Sequence, residues 1–277
     1  MQGLLLLEDE TALPAEFHRR LLKRYGEPGP WHHLDPVSQL VMGLIGGRTR
    51  SGVSLACFEA LLARYGSWEA VRDGPVEDLK ATIAPVTFAE AKAPRLKAAL
   101  QQVMALRGRL ELDFLADWPV DQALAWLERL SGVGRKVSAA TLNFSTLRRK
   151  ALVIDTHHLR ILRRLGLIRP RAGVAEAYRR VVPRLPPDWT AKDFDDHHQL
   201  FKTLGQRRCH HAAPCCGVCL LQDLCPTGRG DHQRQSGARQ LPGPLRPASR
   251  ASGRRAAPGT AQQARRRPSP PKAPEPA

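Results

Sequence analysis

The sequence contains no apolar run of the roughly 18 residues that a membrane-spanning helix needs. The apolar run nearest the N-terminus, Leu4 to Leu7, is too short for the apolar part of a signal peptide. It is followed at once by the acidic residues Glu8, Asp9 and Glu10. We therefore expect a soluble, cytoplasmic protein with no membrane partner.

Cysteine is scarce outside one short segment. Five of the six cysteines lie between Cys209 and Cys225, and Cys57 stands alone. In a reducing compartment such a cluster indicates metal binding rather than a framework of disulfides.

Acidic residues are outnumbered, and the formal net charge of +17 favours a polyanionic partner, whether RNA, DNA or anionic lipid. From Pro226 to the end, 11 Lys and Arg residues stand against 2 acidic ones, and 10 of the 52 residues are proline. Such a segment buries too little apolar surface to offset the entropy lost on ordering. We predict a disordered basic tail over residues 227–277, acting either as a solubilising appendage or as a salt-sensitive DNA tether.

No segment shows a convincing strand-like alternation, and helical periodicity dominates from about residue 14 to residue 205. A typical helix start is Asp35-Pro36, where a capping residue and a first-turn proline precede the apolar stripe from Val37 to Ile45. Glycine or proline punctuates the helix ends. The sequence therefore predicts an all-α fold.

The first chemical motif is L-S-G-V-G-R-K, from Leu130 to Lys136, between two helical stretches. Its two glycines permit a tight hairpin whose backbone amides can approach a phosphate. The helix that follows directs its positive end at the same anion. An ordinary interhelical turn is the alternative, but the Arg-Lys pair in a basic chain favours phosphate binding. We predict DNA contacts from Gly132, Val133, Gly134 and Arg135.

Lys136 stands in the first turn of the helix after this hairpin. An amine is a useful nucleophile only in its neutral form, and the helix end, Arg135 and partial burial would all lower the pKa of Lys136. Considered alone, the position favours a surface phosphate contact over a catalyst.

The second motif is V-I-D-T-H-H-L, from Val153 to Leu159. Asp155 is expected to cap the helix that follows. A capping carboxylate can also face a cleft, where it could stabilise a cationic sugar or move a proton. Metal binding by His157 and His158 is disfavoured because adjacent residues of a helix point in different directions.

The third motif is the spacing Cys209-x6-Cys216-x2-Cys219-x5-Cys225. Four thiolates in a short loop suit zinc or an iron–sulfur cluster. Structural zinc sites more often pair two short C-x-x-C units, which this spacing lacks. Cys215 could replace Cys216 as the second ligand, and the spacing leaves that choice open.

The three motifs, in this order, resemble the endonuclease III family of helix-hairpin-helix DNA glycosylases. The resemblance covers roughly residues 12 to 226, and it includes Asp196-His197-His198 and Gly205-x3-Cys209. It implies that Lys136 is the catalytic lysine and Asp155 the catalytic aspartate. It also implies a [4Fe–4S] cluster held by Cys209, Cys216, Cys219 and Cys225, which leaves Cys215 unligated.

The same resemblance implies a two-lobed fold, with a six-helix barrel domain at 36–150 and a cluster domain formed by 12–35 and 151–226. The expected partner is double-stranded DNA with damaged bases or abasic sites, bound by a monomer in a bacterial cytoplasm, at the nucleoid. The damaged base, an oxidised pyrimidine, would be flipped out of the stack. Lys136 would then expel the base, leave a Schiff base and cut the strand by β-elimination, assisted by Asp155.

The sequence departs from the family in three places. Arg48 stands where the family's L-S-A-Q-T segment has the glutamine that fills the space of the flipped base, and Ser131 replaces the hairpin proline. The loop between Cys209 and Cys216 lacks the usual basic residues. We still expect Arg48 to bind DNA, with an altered lesion preference. The alternatives are a non-catalytic or specificity-shifted DNA-binding member of this scaffold, and a zinc-bound structural module.

Overall fold

The structure is a computed structural model that describes residues 12–29 and 32–230. In this part of the chain there is no strand, and the one β-bridge is an isolated parallel pair between Leu34 and Ser145. The prediction of an all-α fold is confirmed. No helix in the described residues is long and apolar enough to cross a membrane. The α-helices are α1 (Ala12–Tyr25), α2 (Pro36–Gly46), α3 (Ser51–Tyr65), α4 (Trp68–Asp73), α5 (Val76–Thr82), α6 (Ala89–Arg107), α7 (Val120–Leu127), α8 (Arg135–Phe144), α9 (Thr156–Arg164), α10 (Val174–Val181) and α11 (Ala191–Arg207).

Helix α2 lies at the centre of the fold, and almost all of its residues are buried. The Asp35 side chain caps it as the sequence predicts, accepting the backbone N–H groups of Val37 at 3.0 Å and Ser38 at 2.9 Å. A Cβ atom on Gly43 would lie 2.9 Å from Cγ1 of Val137 on α8. The glycine therefore lets α8 approach α2 closely, which fixes the start of α8 against the core.

Helix α11 packs against α9 and α1. It begins with a reciprocal capping box, in which the Thr190 N–H donates to Oδ2 of Asp193 at 2.7 Å and the Asp193 N–H donates to Oγ1 of Thr190 at 3.4 Å. Near its other end, a Cβ atom on Gly205 would lie 2.6 Å from Cβ of His157. This contact holds α11 directly against the start of α9, where Asp155 lies.

The predicted barrel segment, residues 36–150, holds α2 to α8, and the two flanking segments supply α1 and α9 to α11. One hydrophobic core runs through helices of both predicted domains. The domain division therefore stays a prediction. The first residues of the predicted tail belong to a helical turn over 226–230, and its remainder, 231–277, lies outside the described residues.

Candidate active site and cysteine site

The predicted hairpin is present between α7 and α8. Gly132 has a φ of +77°, in the left-handed region that favours glycine. A Cβ atom there would also lie 3.1 Å from Cβ of Arg95 and 3.2 Å from Cδ2 of Leu44. The Ser131 N–H donates to Oε1 of Gln102 at 2.7 Å, a bond that proline at this position could not make. The departure at Ser131 thus exchanges the rigidity of proline for a hydrogen bond to α6.

The hairpin leads into a helix start with unpaired backbone amides. The first bonds within α8 run from the N–H groups of Val137 and Ser138 to the carbonyl oxygen of Gly134. The N–H groups of Arg135 and Lys136 therefore have no partner inside the helix. The neighbouring Gly134 is exposed. Unpaired amides at a helix start form a binding site for an anion such as phosphate.

The Arg135 side chain is bound within the protein. Its Nε atom lies 2.5 Å from Oε1 of Glu128, and its guanidinium lies 4.7 Å from the ring centroid of Tyr178. Glu128 also accepts a hydrogen bond from Ser138 Oγ at 2.8 Å. Arg135 thus links the end of α7 to α10, so the amides remain the better candidates for phosphate contact. Its predicted DNA contact stays a prediction.

Lys136 lines a cavity of about 490 Å³ and is half-buried there. The residues of the walls follow helical spacing. They include Gln39, Met42 and Gly43 of α2, Lys136, Ala140 and Phe144 of α8, and Asp195, Gln199 and Lys202 of α11. The cavity therefore lies between α2, α8 and α11, and Lys136 lines it from the first turn of α8.

The surroundings of Lys136 favour its neutral amine. Burial lowers the pKa of Lys136 below the usual lysine value of 10.5, the Asp155 carboxylate opposes this, and the Lys202 ammonium lowers the pKa further. The sequence predicts the direction of this shift correctly. It attributes part of the shift to Arg135, whereas in the structure the neighbouring cation responsible is Lys202.

Asp155 caps α9 as predicted, with Oδ1 accepting the His158 N–H at 2.8 Å. Burial by itself would raise the pKa of Asp155. Its interaction with His198 and the bond from the His158 N–H outweigh burial, and the net pKa lies below the usual value. Asp155 is therefore a carboxylate at neutral pH, close enough to Lys136 to influence the pKa of the amine.

Three histidines behind Asp155 are buried. Burial lowers the pKa of His158 to about 3 and that of His198 to about 4, and it holds the pKa of His197 well below its usual range. Nδ1 of His198 lies 2.7 Å from the carbonyl oxygen of Val153. These rings are neutral at physiological pH, and they pack as aromatic side chains, for example against Phe201. The sequence indicates His197 and His198 only through their motif and does not predict the cluster.

Arg48 lies in the turn after α2, exposed and with a φ of +56°. Its guanidinium lies 5.8 Å from the ring centroid of Phe88, which is 58% exposed and also left-handed, with a φ of +63°. Left-handed backbone in residues other than glycine is strained and often marks functional sites. The sequence does not single out Phe88, because one aromatic residue between two helices carries no periodic signal.

Lys92 of α6, which the sequence does not single out either, fixes the turn that carries Arg48. Its Nζ atom donates to the carbonyl oxygens of Ile45 and Gly47, both at 2.6 Å, and lies 3.1 Å from Oγ1 of Thr49. Burial lowers the pKa of Lys92, and the ammonium of Lys136 lowers it further. A basic residue on a helix usually indicates a solvated face, so only the fold reveals this role.

The four predicted cysteine ligands line one small cavity, together with Cys215. Cys216 is buried and Cys215 is exposed, which agrees with the choice of Cys216. None of the cysteines forms a disulfide. Among the described residues, no three His, Cys, Asp or Glu side chains stand in the arrangement of ligands to a single metal ion.

Arg164 joins two of these cysteines. Its Nη1 atom lies 3.0 Å from Sγ of Cys209, and its carbonyl oxygen lies 3.3 Å from Sγ of Cys225. Burial raises the pKa of Cys219, and its neighbours Cys209 and Cys225 raise it further. The thiols of the loop after α11 thus form one group next to the end of α9.

Three features define the class of protein: a lysine directly after the hairpin, an aspartate that caps α9, and a fold made of helices. A model of the family described as "HhH-GPD superfamily base excision DNA repair protein" matches residues 41–187. The chain belongs to this superfamily of base excision DNA repair proteins.

Two relatives are similar to the chain over most of their length. The chain is 24% identical to endonuclease III of Bacillus subtilis over 71% of its own length and 84% of the relative's. It is 26% identical to endonuclease III of Synechocystis over 73% and 87%. These relatives confirm the resemblance to the endonuclease III family.

Solved structures share the fold. A trapped covalent intermediate of endonuclease III with DNA superposes with a TM-score of 0.67 at 20% identity, covering 80% of this chain and 98% of that one. A thermostable thymine-DNA glycosylase gives a TM-score of 0.63 at 18% identity, covering 78% and 97%.

Proposed function

We propose that the protein is a bifunctional DNA glycosylase and abasic-site (AP) lyase with Lys136 as its nucleophile. The observation that carries this proposal is the position of Lys136, half-buried in the cavity at the start of α8 and lowered in pKa. The amides before it are free to bind the phosphate of a flipped nucleotide. Relatives of the chain bear the names endonuclease III and DNA glycosylase/AP lyase.

The chemistry follows from the two charged groups of the site. The neutral amine of Lys136 attacks C1′ of the sugar, the bond from C1′ to the base breaks, and the base leaves with the electron pair. Asp155, ionised beside Lys136, takes up the proton that the attacking nitrogen releases. The C1′–O4′ bond then breaks as the nitrogen forms a double bond to C1′, and O4′ takes the proton held by Asp155, which leaves a Schiff base. Loss of a proton from C2′ then expels the 3′ phosphate by β-elimination.

Arg48 and Phe88 are proposed to enter the duplex when the base is flipped. An exposed aromatic ring on a strained backbone suits a wedge between base pairs, and the adjacent guanidinium can occupy the vacated space. Lys92 supports both, since it fixes the turn that carries Arg48. This pair replaces the glutamine that the family has at position 48.

We also propose a [4Fe–4S] cluster held by Cys209, Cys216, Cys219 and Cys225. Soft thiols around one cavity fit this group, and the Arg164 guanidinium donates a hydrogen bond to Sγ of Cys209. Each iron of such a cluster takes one thiolate, so the four sulfurs need not converge as ligands of a single ion do. The cluster would supply structural cross-linking of the loop after α11, and no step of base excision passes through it.

The remaining proposals concern the setting. We infer a monomer that acts on double-stranded DNA carrying oxidised pyrimidines or abasic sites, in the cytoplasm and at the nucleoid of a bacterium. The net charge of +17 supports the nucleic-acid partner. We also propose the division into a barrel domain at 36–150 and a cluster domain at 12–35 and 151–226. This division rests on the motifs and the helices of each segment.

Borohydride trapping tests the nucleophile. Wild type should form a covalent adduct with an abasic duplex, and Lys136→Gln should form none. Lys80→Gln, which removes a half-buried lysine of α5 that is paired with Glu77 and does not line the cavity, should trap like wild type. If wild type binds the duplex without trapping, the protein is the non-catalytic DNA-binding member of the scaffold instead.

A further inference from the structure

A second lysine faces the cavity that holds Lys136. Lys202 of α11 lines this cavity together with Asp195 and Gln199 of the same helix. Spacings of four and three residues place these side chains on one face of α11. Lys202 is half-buried at the cavity wall.

Lys202 has neither a hydrogen bond nor an ion pair with the described residues. Lys192, on the same helix, shows the contrast, since its Nζ atom lies 2.5 Å from Oδ2 of Asp196. Asp195 lines the cavity as well, but it is engaged by Arg148 at 3.4 Å and Gln199 at 3.3 Å. The Lys202 side chain at the cavity wall is therefore available to donate a hydrogen bond to a ligand. Its partner is therefore expected to arrive with the substrate.

The opposite wall suits a planar ring. Ala140 and Phe144 of α8 and Met42 of α2 are apolar, so a flipped base can lie against them with its polar edge towards α11. When the bond to the sugar breaks, the base carries the electron pair, and negative charge spreads to its carbonyl oxygens. An ammonium on the α11 wall is placed to stabilise that charge.

We propose that Lys202 is a second catalytic lysine, whose ammonium donates a hydrogen bond to a carbonyl oxygen of the flipped base. This inference rests on the proposed function, in which the nitrogen of Lys136 bonds to C1′ as the bond to the base breaks. The electron pair goes to the base, and Asp155 takes the proton of the attacking amine. Lys202 keeps its proton and stabilises the base anion, which water protonates on release.

An abasic site separates this role from that of Lys136, because it has no base left to expel. Two single-turnover rates are measured from pH 6 to 9, namely base release from a thymine-glycol duplex and borohydride trapping on an abasic duplex. Loss of the Lys202 charge also changes the protonation of Lys136, but this moves both rates together and cancels in their ratio. The ratio is equally insensitive to a misfolded fraction.

In Lys202→Met, base release should fall about 100-fold while trapping stays within about threefold of wild type. Lys202→Arg, which keeps the charge, should retain at least about a tenth of the base release. Lys192→Met removes an exposed lysine of the same helix and should leave the ratio unchanged.

An unchanged ratio in Lys202→Met refutes the inference, whether both rates fall equally or neither falls. A wild type that binds the abasic duplex but does not trap it refutes the proposed function and this inference with it. Trapping that is lost in Lys136→Gln, together with an unchanged ratio in Lys202→Met, overturns only the role of Lys202.

Discussion

The two glycines of the hairpin differ in what an added methyl group would meet, and this difference gives a sharp prediction. At Gly132 an alanine must adopt a left-handed conformation, which costs about 1–2 kcal/mol. Its Cβ atom would also press on Arg95 and Leu44 at 3.1 and 3.2 Å, and such crowding costs about 1–2 kcal/mol more. Gly134 has a φ of −109° and no atom within 4 Å of an added Cβ.

We therefore expect Gly132→Ala to lower the free energy of unfolding by about 2–4 kcal/mol. Gly134→Ala should cost less than about 1 kcal/mol, mainly through the poorer helix cap. Urea unfolding measures both, and with a slope of about 2 kcal/mol/M the midpoint of Gly132→Ala should fall by about 1–2 M.

Binding to an abasic duplex is the second readout. In Gly132→Ala the displaced amides should weaken binding at a temperature where the variant is fully folded, while Gly134→Ala should bind nearly as wild type does. Equal destabilisation by the two alanines would refute the account of the hairpin. So would a destabilised Gly132→Ala that binds DNA normally, since the amides would then not be the phosphate contact.

Two further predictions follow from the cysteine loop and the buried histidines. Cys219→Ser should abolish broad visible absorption of the purified protein, whereas Cys215→Ser should keep it; absorption lost equally in both would contradict the proposed ligand set. The free energy of unfolding should fall as the pH drops below about 6.5. In the folded protein the pKa values of His158 and His198 are about 3 and 4, so both rings stay neutral in this range. In the unfolded chain both rings bind protons, and this stabilises the unfolded state. Unfolding midpoints between pH 7 and 4 measure this, and a flat profile would show that the two rings are not held neutral.

The sequence predicts local features of this protein well. The cap at Asp35, the hairpin and the cap at Asp155 each depend on a few neighbouring residues, and all three are found where expected. The helical class follows from periodicity over many residues, so it is insensitive to error at any single position. Gly132 shows the local case, since its left-handed φ is required by the turn itself.

The parts of the site that depend on distant residues were not predicted. Arg135 pairs with Glu128, a contact that depends on where α7 ends. Lys92 and Lys202 come from α6 and α11, and only the folding of those helices against α2 and α8 makes them part of the site. Spacing along the chain carries no information about such contacts.

The central claim is that the amine of Lys136 forms the covalent bond to the sugar. The most direct measurement is mass-spectrometric mapping of the peptide that carries the adduct after borohydride trapping of the full chain on an abasic duplex. The account predicts a single modified residue, Lys136. An adduct on Lys202, on Lys92 or on the N-terminal amine, with Lys136 unmodified, would contradict it.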